Sequence, residues 1–281
     1  MNLIGLGDAG CAIIDLLKQY PNYSCFKIAT GKENEEDCSF YQMKEQGSHR
    51  AYEENVPDLK RFFSKLEDEE VYLFVSGEEE ITGSILAVLQ QLKDKVLNVV
   101  YIRPNRRLLN KTCVMIERAA YGVLQELARS AALNRIILVD TAHIMQYTKG
   151  VKIIEINDRL RRMLASSFHM LNYFKNSKGV INTAESPESV NRISTFGYVD
   201  SSLGQEIYFY PLDSVREKVY YFAIAEDSET WDSHEKLLDN IEKQLKDEKV
   251  DSSYKVISTT YDENHVYMEM FTNVVQLIFK H

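Results

Sequence analysis

Residues 151–160, VKIIEINDRL, open the stretch whose reading decides the fold. From there the apolar face is carried by Ile156, Leu160, Met163, Leu164, Ser167, Leu171 and Phe174, and the breaker Asn176-Ser177-Lys178-Gly179 ends it. That spacing repeats one helical face over about five turns, so it predicts a long helix in mid-chain. Gly179-Val180-Ile181-Asn182 follows, and the polar loop Thr183-Ala184-Glu185-Ser186-Pro187-Glu188 leads to a second helix expected over Ser189 to Phe196. With alternating strand and helix patterns before it and a smaller β-rich set after it, the long helix reads as a spine between two domains. The expected division is 1–150, 151–178 and 179–281.

Upstream, Met1 to Leu6 is an apolar run that ends in Gly5-Leu6-Gly7-Asp8-Ala9-Gly10 and passes into a helix carrying Ile13, Ile14, Leu16 and Leu17. A strand turning through glycines into a helix offers free backbone N–H groups and a positive dipole end to a phosphate. The same glycines also serve a plain tight turn. A dinucleotide site would want an acidic residue ending the second strand, and Cys25 to Gly31 supplies none. Pro57 to Leu66 is expected to be a helix, and Val71 to Val75 a buried strand. That strand delivers Ser76-Gly77-Glu78-Glu79-Glu80-Ile81-Thr82-Gly83-Ser84 and a helix with Ile81, Ile85, Val88, Leu89 and Leu92 on one face. Two strand-loop-helix junctions side by side could clasp a triphosphate. Carboxylates repel phosphates, however, and glutamates at a helix start are also ordinary dipole partners.

Val96 to Ile102 and Arg135 to Asp140 are further strands, the first leading through Arg103-Pro104-Asn105-Arg106-Arg107 to a helix reaching Leu127. This alternation implies an α/β domain with a mostly parallel sheet, binding ligands at the carboxyl ends of its strands. Past the long helix, Gly197 to Tyr210 reads as extended, Lys218 to Ala225 as a strand and Trp231 to Leu245 as an amphipathic helix. Tyr254–Thr260 and His265–Phe271 read as an antiparallel pair across Asp262-Glu263-Asn264.

At 281 residues and 44% hydrophobic content the chain can bury one large core or two ordinary ones. No window approaches the ~20 apolar residues of a bilayer helix, and MNLIGLGDAG lacks the pattern of a signal peptide; the expected location is the cytoplasm. The net charge of −9 disfavours direct contact with nucleic acid or an anionic membrane. The acidic runs Lys32–Asp37 and Glu67–Glu70 read as solvated loops or helix ends. Cys11, Cys25, Cys38 and Cys113 show neither zinc spacing nor a disulfide framework, and no metal site is expected from the protein's own ligands.

Taken together, these features resemble the tubulin/FtsZ superfamily of filament-forming GTPases, in order and over nearly the whole chain. The family's first glycine loop is matched by Gly5, Gly7 and Gly10. Its signature GGGTGTG/S is matched in its second half by Thr82-Gly83-Ser84, with Glu79, Glu80 and Ile81 in place of the leading glycines. Asn157-Asp158 resembles the Asn-Asp that faces guanine, a base with donors suited to a carboxylate. Gly179-Val180-Ile181-Asn182 resembles the entry to the loop that reaches the next subunit's nucleotide, where carboxylates position the attacking water. Here Glu185 and Glu188 stand in that loop, as glutamates and displaced by one residue.

The resemblance implies a Rossmann-like nucleotide domain, a central helix and a smaller α+β domain, binding GTP or GDP, with or without Mg2+. Gly5, Gly7, Asp8, Ala9 and Gly10, then Gly77, Thr82, Gly83 and Ser84, then Asn157 and Asp158 would hold the nucleotide. Arg107, from the segment Arg106, Arg107 and Lys111, would be the arginine near the phosphates. Glu185 and Glu188 would act in trans, and the partner would be a second copy of the chain, stacked head to tail. Water positioning tolerates errors of only ~1 Å, so the displaced glutamates leave hydrolysis open. A degenerate relative without nucleotide, serving as a structural or regulatory interaction protein, is the alternative. A dinucleotide oxidoreductase is the weakest reading.

Overall fold

The computed structural model describes residues 1–31, 38–148, 150–200, 205–225, 239, 241–242, 244–245 and 249–277. The chain divides into two compact units, Met1–Ser166 with the residues from Val275, and Ser167–Val274.

The first unit alternates strands and helices, as the apolar runs predict: β1 (Asn2–Leu6), α1 (Gly7–Leu17), β2 (Ser24–Ala29), β3 (Ser39–Gln42), α2 (His49–Glu54), α3 (Lys60–Phe63), β4 (Glu70–Ser76), α4 (Ile85–Gln91), β5 (Val96–Arg103), α5 (Lys111–Arg129), β6 (Arg135–Asp140) and α6 (Thr141–Met145). Its strands run in the order β3-β2-β1-β4-β5-β6, each parallel to its neighbour. β1, β4 and β5 are buried nearly throughout, as strands covered on both faces must be. All the βα turns therefore open at one edge, the carboxyl ends of the strands.

Several expected elements are shorter or differently placed. The helix expected from Pro57 is only α3, and the one expected from Ile81 starts as a 3-10 turn, Glu80–Ser84, before α4. β3 and α2 occupy a segment whose sequence showed no periodicity. The long helix is α7 (Ile156–Asn176). Leu160, Leu164, Ser167, Leu171 and Phe174 are buried on its expected face.

The second unit holds β7 (Ile181–Asn182), β8 (Ile193–Asp200), β9 (Gln205–Tyr208), β10 (Glu217–Ala225), β11 (Asp251–Thr259) and β12 (His265–Thr272). They pair in the order β9-β8-β12-β10-β11-β7. Two expectations fail here. Ser189 to Phe196 is not a helix: β8 begins at Ile193, where the β-branched and aromatic run Ile193-Ser194-Thr195-Phe196 pairs with Glu269 to Thr272. Nor do 254–260 and 265–271 pair with each other. β10, buried on both faces, lies between β11 and β12, parallel to one and antiparallel to the other. A strand so apolar is stable only with a neighbour on each side. Phe174 of α7 packs on Tyr267, and Phe168 on Phe196; each buried ring contributes roughly 1.5–3 kcal/mol. Most of the expected helix 231–245 lies outside the described residues, but Ile241 and Leu245 pack with Tyr220, Phe222 and Val256.

Candidate functional site

The β1–α1 junction is built as a phosphate cradle would be, but a side chain of the same unit occupies it. Gly7 adopts φ 79°, which only glycine takes without strain, and swings the chain from β1 into α1. Gly10 lies against the Phe74 carbonyl of β4, where any Cβ would collide. The helix then presents unpaired N–H groups at its positive end. Two of them are taken: Asp8 N–H donates to Glu79 Oε2 at 2.8 Å, and Ala9 N–H to Glu79 Oε1 at 2.7 Å. A Cβ at Gly7 would fall on the same carboxylate. Burial pushes the Glu79 carboxyl up to about 7, although the two amide bonds pull it down; the charges of Asp8 and Glu78 add to the rise.

The second loop is closed as well. Thr82 Oγ1 donates to the Ser76 carbonyl at 2.5 Å, and Ser84 Oγ to the Ile81 carbonyl at 2.7 Å. Both residues are buried, with Gly83 pressed against the His49 carbonyl of α2. Gly77 is buried beneath the Tyr101 hydroxyl. The hydroxyls expected to meet a phosphate thus serve the turn itself. Of the first loop, Gly7, Asp8 and Ala9 meet Glu79, while Gly5 and Gly10 pack against each other and the Phe74 carbonyl; Ala9 also lines the cavity beside the junction. While Glu79 holds them, the Asp8 and Ala9 amides are not available to a phosphate.

The arginines form an internal cluster. Glu117 of α5 is fully buried and takes Arg103 Nε at 3.3 Å and Arg106 Nε at 2.6 Å. Arg103 also reaches Asp140 at 3.5 Å and lies over the Tyr121 ring. Arg107, the expected arginine, is exposed, and its N–H donates to Asn105 Oδ1 at 3.1 Å.

Beside the junction lies a cavity of 390 Å³ at the carboxyl ends of β4, β5 and β6. Ile13, Ile102, Val139, Ile144, Leu160 and Leu164 make its walls mostly apolar, while Ser76, Glu78, Asn105, Thr141, Asn157 and Arg161 supply the polar groups. Burial raises the Glu78 carboxyl and Arg161 opposes the rise. Asn157 lines the cavity. Asp158 does not line it: its side chain is 71% exposed and lies 4.0 Å from Arg161, one helical turn on. The space suits a mostly apolar group with few charges.

In the second unit Glu185 and Glu188 are exposed in the segment after β7. Glu217 fixes that segment, accepting the Glu188 N–H at 3.0 Å and the Asn191 side-chain amide. The Glu79 contact is the feature the sequence did not announce. Its only sequence signal was a run of three carboxylates in a loop facing a glycine turn.

No family model matches the sequence, and no curated protein matches it. Solved structures do. An empty FtsZ dimer from M. jannaschii is similar at TM-score 0.73 and 12% identity, over 96% of this chain and 87% of that one. A GTPγS-form protofilament of TubZ from Bacillus thuringiensis serovar israelensis is similar at TM-score 0.71 and 12% identity, over 98% and 86%. GDP-bound monomeric CetZ1 from Haloferax volcanii is similar at TM-score 0.72 and 10% identity, over 97% and 94%. Through its parallel α/β sheet, long mid-chain helix and smaller β-rich unit, this chain has the tubulin/FtsZ fold.

Proposed function

We propose that this protein assembles head to tail with copies of itself, as a cytoskeletal protein of tubulin/FtsZ type, and that assembly does not depend on a triphosphate switch. The observation that carries the second half is the Glu79 carboxylate on the Asp8 and Ala9 amides. A carboxyl group of the chain itself already takes the amides that the fold would offer a phosphate, with no freely diffusing ligand required. The first half is supported by the solved neighbours, among them TubZ protofilaments and a two-stranded TubZ filament. A repeated contact between unlike faces that does not close yields a filament. The test is electron microscopy of protein stripped of nucleotide by a phosphatase: filaments in the stripped sample support the reading, and filaments that return only on adding GTP overturn it.

A second reading keeps guanine nucleotide, and the cavity beside Asn157 favours it. Binding then requires Glu79 to leave both amides, and the exposed Asp158 to turn toward the base. The chain's own contribution to hydrolysis would rest on Glu185 and Glu188 of a neighbouring copy.

A further inference from the structure

The four cysteines differ in kind. Cys11 is buried in α1, its thiol directed at the Gly5 and Ile28 carbonyls, and burial pushes it up to about 12. Such a thiol is inert at neutral pH. Cys25 and Cys38 are partly exposed and lie where two parallel strands begin to pair. The pairing begins with Phe26 opposite Ser39, which brings Cys25 and Cys38, each one residue earlier, to the same end of the two strands. Neighbouring strands run about 4.8 Å apart, inside the Cα separation of roughly 4.4–6.8 Å that a disulfide spans. The two thiols hydrogen-bond to each other. That bond, with smaller help from Lys27 and Lys18, holds the Cys25 thiol below its ordinary value despite burial and Asp15.

We propose that Cys25 and Cys38 form a reversible disulfide site that ties β3 to β2 when the protein meets a small-molecule disulfide such as oxidised glutathione. The Cys25 thiolate attacks one glutathione sulfur, breaks the glutathione S–S bond and releases one glutathione thiolate. Cys38 then gives its proton to solvent and attacks the Cys25 sulfur of the mixed disulfide, expelling the second glutathione as thiolate. Two protein thiols are oxidised and one glutathione disulfide is reduced to two thiols. β3 ends the strand order of its unit, so the bond would fasten an edge strand, the part of a sheet most open to fraying or to pairing with another chain.

The test uses the full chain, treated with oxidised glutathione in native buffer and in urea, then alkylated under denaturing conditions so that every free thiol reacts, digested without reductant and weighed. The expected result is loss of two of the four alkylatable thiols, as a peptide joined through Cys25 and Cys38. The joined peptide should form faster in native buffer than in urea and should be lost on reduction. Hydrogen exchange of the β3 amides should slow in the oxidised sample. Cys38→Ser should stop the reaction at a glutathione adduct on Cys25. A lasting glutathione adduct on wild-type Cys25, a native rate no faster than in urea, or a bridge mainly to Cys113 would each overturn the proposal.

Discussion

Glu79→Ala should turn a closed phosphate cradle into an open one. In the wild type a nucleotide must displace a carboxylate bonded at 2.8 and 2.7 Å to the Asp8 and Ala9 amides. Hydrogen bonds to a charged group contribute roughly 1.5–3 kcal/mol each. The displaced carboxylate regains water, and one pushed up to about 7 is only partly ionised at neutral pH, so the low end of the sum, about 3 kcal/mol, is the fair figure. That corresponds to about a hundredfold in affinity. A fluorescent guanine nucleotide titrated into the two proteins reads it directly: Glu79→Ala should bind about a hundredfold more tightly than wild type. Without ligand the variant should lose up to about 3 kcal/mol of stability, because the same two bonds at the start of α1 are removed. Glu80→Ala is the control, since Glu80 makes no bond to α1. Equal affinities for wild type and Glu79→Ala, or an equal gain in Glu80→Ala, would refute the reasoning.

Other consequences follow from the same contacts. Glu79 has a folded pKa raised from 4.5 to about 7, so folding takes up a proton between those values. The stability it contributes is full below about pH 4.5 and is lost as pH rises through about 7, by up to about 3 kcal/mol. The urea midpoint of wild type relative to Glu79→Gln, followed from about pH 4 to about pH 8, should show that fall; a constant difference would contradict it. Glu117→Ala strips Arg103 and Arg106 of a fully buried partner and should cost roughly 3–5 kcal/mol in urea unfolding, whereas a loss under about 1 kcal/mol would mean the cluster is hydrated. The Glu185→Ala/Glu188→Ala double variant should release no less phosphate from GTP than wild type, both at blank level. A clear drop from a measurable wild-type rate would instead assign them the γ-phosphate chemistry.

The fold was legible because its deciding signals are long and local. The face Leu160, Leu164, Leu171, Phe174 repeats at helical spacing, and the apolar runs of β1, β4, β5 and β6 are too short for helices and rich in Val and Ile, which marks them as buried strands. The second unit was less legible. Pairing order is a property of distant partners, so the turn at Asp262–Asn264 looked like a hairpin although β10 takes both neighbours. Ser189 to Phe196 is expected as a helix after the polar loop, and only pairing with β12 reveals a strand. In the site, sequence located the glycine turn and the Glu-rich loop but not their meeting, because 70 residues separate Ala9 from Glu79. The resemblance points to the basic segment Arg106, Arg107 and Lys111 without fixing one residue of it; which arginine turns inward depends on Glu117, buried on α5.

The most direct test of the central claim is high-speed sedimentation of purified protein with GTP, GDP, a slowly hydrolysed GTP analogue or no nucleotide, with released phosphate assayed in parallel. The account predicts a pellet of the same size in all four and no phosphate above blank. A pellet only with GTP, accompanied by phosphate release, would contradict it and show that Glu79 yields its place to the nucleotide.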